Sequence, residues 1–149
     1  MLSILIPTFN DDITPLVERL CREIEGIETP VEIIVGDDHS TRAAAYSNLQ
    51  NLKSVVVFRN TENLGRTATR DLLAKKASYD TLLFLDADVM PAQGNFIKNY
   101  LSAIGKSQVV FGGVQYKKEK PEHALLLRWV YGKQREAKTA QERQRNPFY

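Results

Sequence analysis

The order of apolar runs predicts an α/β domain built on a doubly wound, mostly parallel sheet flanked by helices. Two observations carry this. Short apolar runs alternate along the chain with stretches of helical spacing, the pattern of βαβ units. The runs also end in polar, acid-bearing segments, as the ligand-facing ends of parallel strands do.

The elements follow in order. Leu2 to Pro7 is an apolar run closed by Pro7-Thr8-Phe9-Asn10, hence a strand entering a loop. Asp11 and Asp12 precede Ile13, Leu16, Val17, Leu20, Cys21 and Ile24. That spacing is helical, and the acids suit the N-terminal turn. Val31 to Val35 is the second strand, ending at Gly36-Asp37-Asp38-His39-Ser40, and a short helix is expected from Ala43 to Leu49. Ser54 to Phe58 is the third strand, ending in Arg59-Asn60, and 65–77 reads as a helix. In the run Thr81 to Leu85 the apolar residues are continuous rather than alternating, which predicts a buried fourth strand. A helix from about Asn95 to Ile104 leads to an expected fifth strand, Gln108 to Phe111, stopped by Gly112-Gly113. Pro121 suits the opening of a helix carrying Leu125, Leu126, Leu127, Trp129 and Val130.

With 149 residues the chain is long enough for one domain with a sizeable core. A net charge of +2 is too weak to argue for a nucleic-acid partner. The single cysteine, Cys21, excludes an internal disulfide framework and reads as a small hydrophobe on a helix. No apolar stretch reaches the roughly 18–20 residues of a membrane span, and the first residues lack signal-peptide character. The expected location is cytoplasmic. Composition turns basic from about Lys117, so two regions are expected: a domain over 1–116 and a basic helical extension over 117–149. The simplest use of that helix is an apolar face packed on the domain. Peripheral membrane contact through its basic face is the alternative. The ending Asn146-Pro147-Phe148-Tyr149 is apolar and uncapped, which leads us to expect further sequence beyond it.

In a parallel sheet, Pro7 to Asn10, Asp37-Asp38, the segment 63–70 and Asp86-Ala87-Asp88 converge on one edge. Thr8 and Asn10 offer short polar groups, although Asn10 alone reads more simply as a turn residue. Asp38 is an acceptor for a base N–H or a ribose hydroxyl, or else a helix cap. Arg66 and Arg70, four apart on a helix, share a face and can meet phosphates or hold the acids. Asp86 and Asp88, two apart in extended chain, lie about 6.6 Å apart on one side. Two carboxylates so placed repel unless a cation or proton separates them, which points to a divalent metal with a phosphorylated ligand. His39, with no second histidine at ligand spacing, reads as a turn residue.

This constellation resembles the nucleotide-sugar-binding half of family 2 inverting glycosyltransferases of the GT-A type. The resemblance rests on Leu2 to Asn10, Val31 to Ser40, Asn63-Leu64-Gly65 through Arg70-Asp71, and Leu85-Asp86-Ala87-Asp88, and it covers about residues 1 to 115. It implies Mg²⁺- or Mn²⁺-dependent transfer of a sugar from a nucleotide-diphosphate donor, most often UDP-linked. The acceptor would be a saccharide or a lipid-linked group, as in polysaccharide biosynthesis. By similarity, Thr8 and Asp38 contact the nucleoside and Arg70 supports the diphosphate side; Pro7, Asn10, Arg66 and Asp86 complete the expected nucleotide-sugar-binding set. Asp86 lies near ribose and metal, with Asp88 as the main metal ligand.

Several positions depart from the family pattern. Val89 stands where a further acid is frequent, His39 where glycine is common, and Thr69-Arg70-Asp71 where Ala-Arg-Asn is usual. The acceptor-side region with its catalytic base is not recognisable. Glu119, Glu122, Glu136 and Glu142 lie in the basic segment without a pocket context. The expectation is therefore a donor-binding piece of a longer enzyme.

Three alternatives stand beside this reading. A response-regulator receiver would use Asp37-Asp38 as its acidic pair and be phosphorylated at Asp86. However, a whole strand and helix precede the pair, and the later strand-end hydroxyl and buried-strand Lys-Pro are missing. A non-catalytic nucleotide-binding module would share the donor pocket and transfer nothing. Nucleotidyltransferases are disfavoured because Pro7 to Asn10 contains no glycine.

Overall fold

The computed structural model describes residues 1–42 and 46–137. Contacts divide the chain into two compact units, Met1–Lys106 and Ser107–Tyr149.

The first unit is a four-stranded parallel sheet made of β1 (Leu2–Thr8), β2 (Val31–Asp37), β3 (Val55–Arg59) and β4 (Leu82–Phe84). The strand order is β3-β2-β1-β4. The chain first moves outward from β1 to β2 and β3, then returns to the other side of β1. The order therefore reverses between β1 and β4, where open α/β sheets open a crevice beyond their carboxyl ends.

Helices follow from this reversal. Right-handed crossovers in opposite directions place their helices on opposite faces. Helix α1 (Thr14–Ile24) buries Leu16, Val17 and Leu20 against Leu2, Ile4, Ile6, Ile33 and Val35. Ile97 of α3 (Phe96–Ala103) joins the same layer. Helix α2 (Arg66–Lys76) covers the other face, where Leu73 packs with Leu5 and Ile34. Gly36 permits its close approach. A Cβ there would come within 2.9 Å of the Phe58 ring and 3.2 Å of Leu73.

Asp11 and Asp12 lie ahead of α1 rather than in its first turn, and Asp12 Oδ1 accepts from the Thr14 N–H. Pro15 suits the first turn of the helix, where a missing N–H costs nothing. Cys21 is half-buried against the core, and burial, with Glu25 and Glu18 adding to it, pushes its thiol up. The expected helix over 43–49 lies partly outside the described residues. What is described there is a 3₁₀ helix, Tyr46–Asn51.

Two expectations are corrected. The fourth strand is not buried on both faces. Leu83 is buried, but Leu82 and Phe84 are 38% and 40% exposed. The continuous apolar run hid this, because β4 is an edge strand and α2 packs over β1 and β2. The fifth strand is also absent: 108–111 has no regular structure, and Val109 and Phe111 are exposed. A four-residue run is held extended only where a neighbouring edge takes its backbone hydrogen bonds. Among the described residues of the second unit there is no strand to supply one.

That unit contains α4 (His123–Tyr131), continued by a π-helical turn, Gly132–Glu136. Trp129 Nε1 donates to the Lys117 carbonyl, Lys133 lies over the indole ring, and Tyr116 donates to Glu136. Within its own unit, α4 buries none of its residues. No described helix is long and apolar enough to cross a membrane. Lys138, Glu142, Arg143, Arg145 and the 146–149 ending lie outside the described residues.

Candidate donor site at the strand ends

The carboxyl end of β1 brings Pro7 and Thr8 beside Gly36 and Asp37 of β2. Thr8 is buried, and among the described residues its Oγ1 has no hydrogen-bond partner. Asn10 turns the chain with φ 63°, a left-handed conformation that asparagine tolerates. Its Oδ1 accepts from the N–H groups of Thr41 and Arg42 at 2.8 and 3.1 Å, and its own N–H donates to Ser40 Oγ at 2.8 Å. Asn10 thus ties the first strand-end loop to the second.

Asp37 and Asp38 serve different purposes. Asp37 accepts from the Ser40 N–H at 2.9 Å and from its hydroxyl, and pairs with Arg59 Nε at 3.4 Å, so it closes its own turn. Within that turn His39 adopts φ 62°, and its Nδ1 lies 3.2 Å from the Asn60 carbonyl. The turn role expected for His39 is what the structure shows.

Asp38 is buried and faces the segment before α2. Its Oδ1 accepts from Asn60 Nδ2 at 2.9 Å and the Leu64 N–H at 2.8 Å, and its Oδ2 accepts from the Gly65 N–H at 2.8 Å. Burial drives this carboxyl upward. The hydrogen bonds from Leu64, Asn60, Thr69 and Gly65 outweigh burial and hold it below the usual carboxylate value.

Arg66 and Arg70 project from the first two turns of α2 toward Asp86. Arg66 Nη2 reaches both carboxylate oxygens at 3.0 Å, and Arg70 Nη2 reaches Oδ1 at 2.5 Å. Arg70 also lies over the Phe84 ring, 5.8 Å from its centroid. Its Nε is buried and, among the described residues, without a partner.

The two acids do not share one extended face. Extended pairing ends with the Leu85 N–H donating to the Leu5 carbonyl at 3.0 Å. Ala87 and Asp88 then lie in a turn, and the Val89 N–H approaches the Asp86 carbonyl at 3.4 Å. Asp88 is exposed and, among the described residues, has no ion-pair partner. Repulsion between the acids therefore does not by itself demand a metal, because two guanidinium groups already neutralise Asp86.

The donor set still fits a magnesium-like ion. The described residues hold no group of three or more metal-binding side chains. A hard cation of this kind takes only one or two carboxylates when phosphate oxygens supply other positions. Asp88 is free for that role, and Asp86 lies two residues away.

Asn60, Thr69 and Ser40, which the strand-end pattern did not single out, are hydrogen-bonded into the candidate site. Asn60 Nδ2 donates to both Asp38 and Thr69 Oγ1, the latter at 3.1 Å. The only signal for it was a polar residue directly after a strand.

The chain is an α/β protein whose open parallel sheet gathers acids and paired arginines at its switch point. The chain belongs to glycosyl transferase family 2, whose description matches residues 3–149. No curated protein matches it. Among solved structures, the fold is similar to S. aureus TarS 1–349 in complex with UDP, with TM-score 0.61 and 22% identity over 80% of this chain. It is also similar to the same protein with UDP-GlcNAc, with TM-score 0.58 and 23% identity over 80% of the chain. A third likeness is to the mannosyltransferase PcManGT from Pyrobaculum calidifontis with GDP-Man and Mn²⁺, with TM-score 0.57 and 20% identity over 85% of the chain. At such identities the likeness is one of fold. The chain spans 38%, 37% and 38% of those structures, respectively.

Proposed function

We propose that this chain is the donor-binding part of an enzyme that transfers a sugar from a nucleotide-diphosphate donor to an acceptor hydroxyl with inversion. The observation that carries the reading is the charge arrangement at the switch point. Arg66 and Arg70 grip Asp86 while Asp88, in the adjoining turn, is exposed and has no ion-pair partner among the described residues.

Each residue then has a task. Thr8 Oγ1 and Arg70 Nε are buried polar atoms without partners among the described residues, and a ligand that gave them hydrogen bonds would remove the cost of leaving them unpaired. Thr8 and Asp38, with Pro7 and Asn10, stand on the nucleoside side. The guanidinium groups of Arg66 and Arg70 are matched to phosphate oxygens and counter the charge that grows on a departing diphosphate. Asp88, with Asp86 beside it, would hold Mg²⁺ or Mn²⁺, which when bound supplies Lewis-acid stabilisation of the leaving group. Support for the nucleotide class comes from the solved relatives, which hold UDP, UDP-GlcNAc and GDP-Man. The frequency of UDP donors in the family favours a UDP-sugar.

Calorimetry of the full chain with UDP, in Mn²⁺, Mg²⁺ or a chelator, tests this. We expect metal-dependent binding that weakens at least about tenfold in Asp88→Ala, the scale of losing one charge-assisted contact. Metal-independent binding that ignores this substitution would overturn the site.

A further inference from the structure

Asp38 has nearly all of its hydrogen-bonding capacity turned toward the chain itself. It is 5% exposed. Besides the three contacts to its carboxylate, its N–H donates to the Thr8 carbonyl at 2.9 Å and its carbonyl accepts from Asn63 Nδ2 at 3.2 Å. Every one of these bonds joins the end of β1 or the segment 60–65. That segment leads into α2 through Gly65, whose φ of 83° only glycine adopts without strain.

A second path runs in parallel. Asn60 Nδ2 bridges Asp38 Oδ1 to Thr69 Oγ1, and Thr69 is fully buried on α2 between Arg66 and Arg70. The carboxylate therefore fixes the start of α2 by the Leu64 and Gly65 N–H groups and the helix's first turn by way of Asn60. A helix is stiff over so short a length. Any shift at its start moves both arginines relative to Asp86, and charge-assisted contacts near 3 Å tolerate little of that.

We infer that Asp38 is a positioning residue. Acting through Leu64, Gly65 and the Asn60–Thr69 pair, it holds Arg66 and Arg70 at the diphosphate end of the donor site. The inference rests on the donor-site reading but assigns Asp38 a task at the opposite end of the ligand from the base.

Inorganic pyrophosphate separates the two tasks, since it has neither base nor ribose. Binding of pyrophosphate and of UDP, each with Mn²⁺, is measured by calorimetry on the full chain and on Asp38→Asn and Asn60→Ala. Positioning predicts that both variants weaken both ligands by a similar factor, on the order of tenfold, as loss of an outer-shell partner does at metal sites. Asn60→Ala keeps the test decisive if Asp38→Asn does not fold. The inference alone fails if UDP weakens while pyrophosphate holds its affinity, or if Asn60→Ala changes neither. Failure of wild-type chain to bind either ligand overturns the donor-site reading, and this inference with it.

Discussion

Arg70 and Asp86 meet at 2.5 Å, guanidinium Nη2 to carboxylate Oδ1, at the point where the strand order of the sheet reverses. Arg66, one turn earlier on the same helix, reaches that carboxylate at 3.0 Å. One acid of the pair is thus held by two cations while the other stays open to solvent. This asymmetry leaves two guanidinium groups around one carboxylate and, two residues on, a second carboxylate exposed to solvent.

The two arginines are expected to differ. Arg66 is 68% exposed and Asp86 42%, so solvent screens their pair, and exposed pairs contribute about 0–1 kcal/mol. Arg70 is half as exposed and also lies over Phe84. Arg66→Ala should leave stability within about 0.5 kcal/mol of wild type. Arg70→Ala should cost roughly 1 kcal/mol more, from lost packing and cation–π contact. Urea denaturation of both variants checks the ranking, and the reverse order would refute it.

Packing at Gly36 makes a sharper prediction. The buried side chain of Leu73 and the ring of Phe58 occupy the space a Cβ would take. Gly36→Val should destabilise by about 1–3 kcal/mol through overpacking. The same change pushes α2 outward, so UDP affinity should fall together with the melting temperature. A variant of wild-type stability would show that α2 is not seated through Gly36.

Acid should loosen the segment before α2. The Asp38 carboxyl is held below its ordinary value, so the folded state binds this proton less readily than the unfolded chain does. Its stabilising contribution is full above the unfolded value of about 3.9 and is lost as pH falls through the depressed folded value. Melting curves between pH 7 and pH 2 should therefore drop more steeply for wild type than for Asp38→Asn below about pH 4. Parallel curves would mean that Asp38 carries no such linkage.

Much of this was legible in the residues. The runs at Leu2, Val31 and Ser54 became strands, and the helical spacings after Asp12, Gly65 and Asn95 became helices, because burial and period are local properties of a chain. The run at Thr81 misled. Continuous apolarity states that a strand avoids water and is silent on whether it lies at a centre or an edge. Gln108 to Phe111 misled for a related reason, since extended chain requires a partner that no local pattern supplies.

Pattern and composition by themselves determined the doubly wound parallel sheet and the set of polar strand ends that converge on one edge. Only tertiary structure decided which acid is paired. Arg70 and Arg66 lie 16 and 20 residues before Asp86. They reach it because the chain crosses to the second face of the sheet before β4 is laid beside β1. The same crossing brings Asn60, Leu64 and Gly65 onto Asp38, from 22 to 27 residues away. Contacts of that range are set by the order in which strands pair, so the division of labour among these aspartates is a property of the assembled sheet.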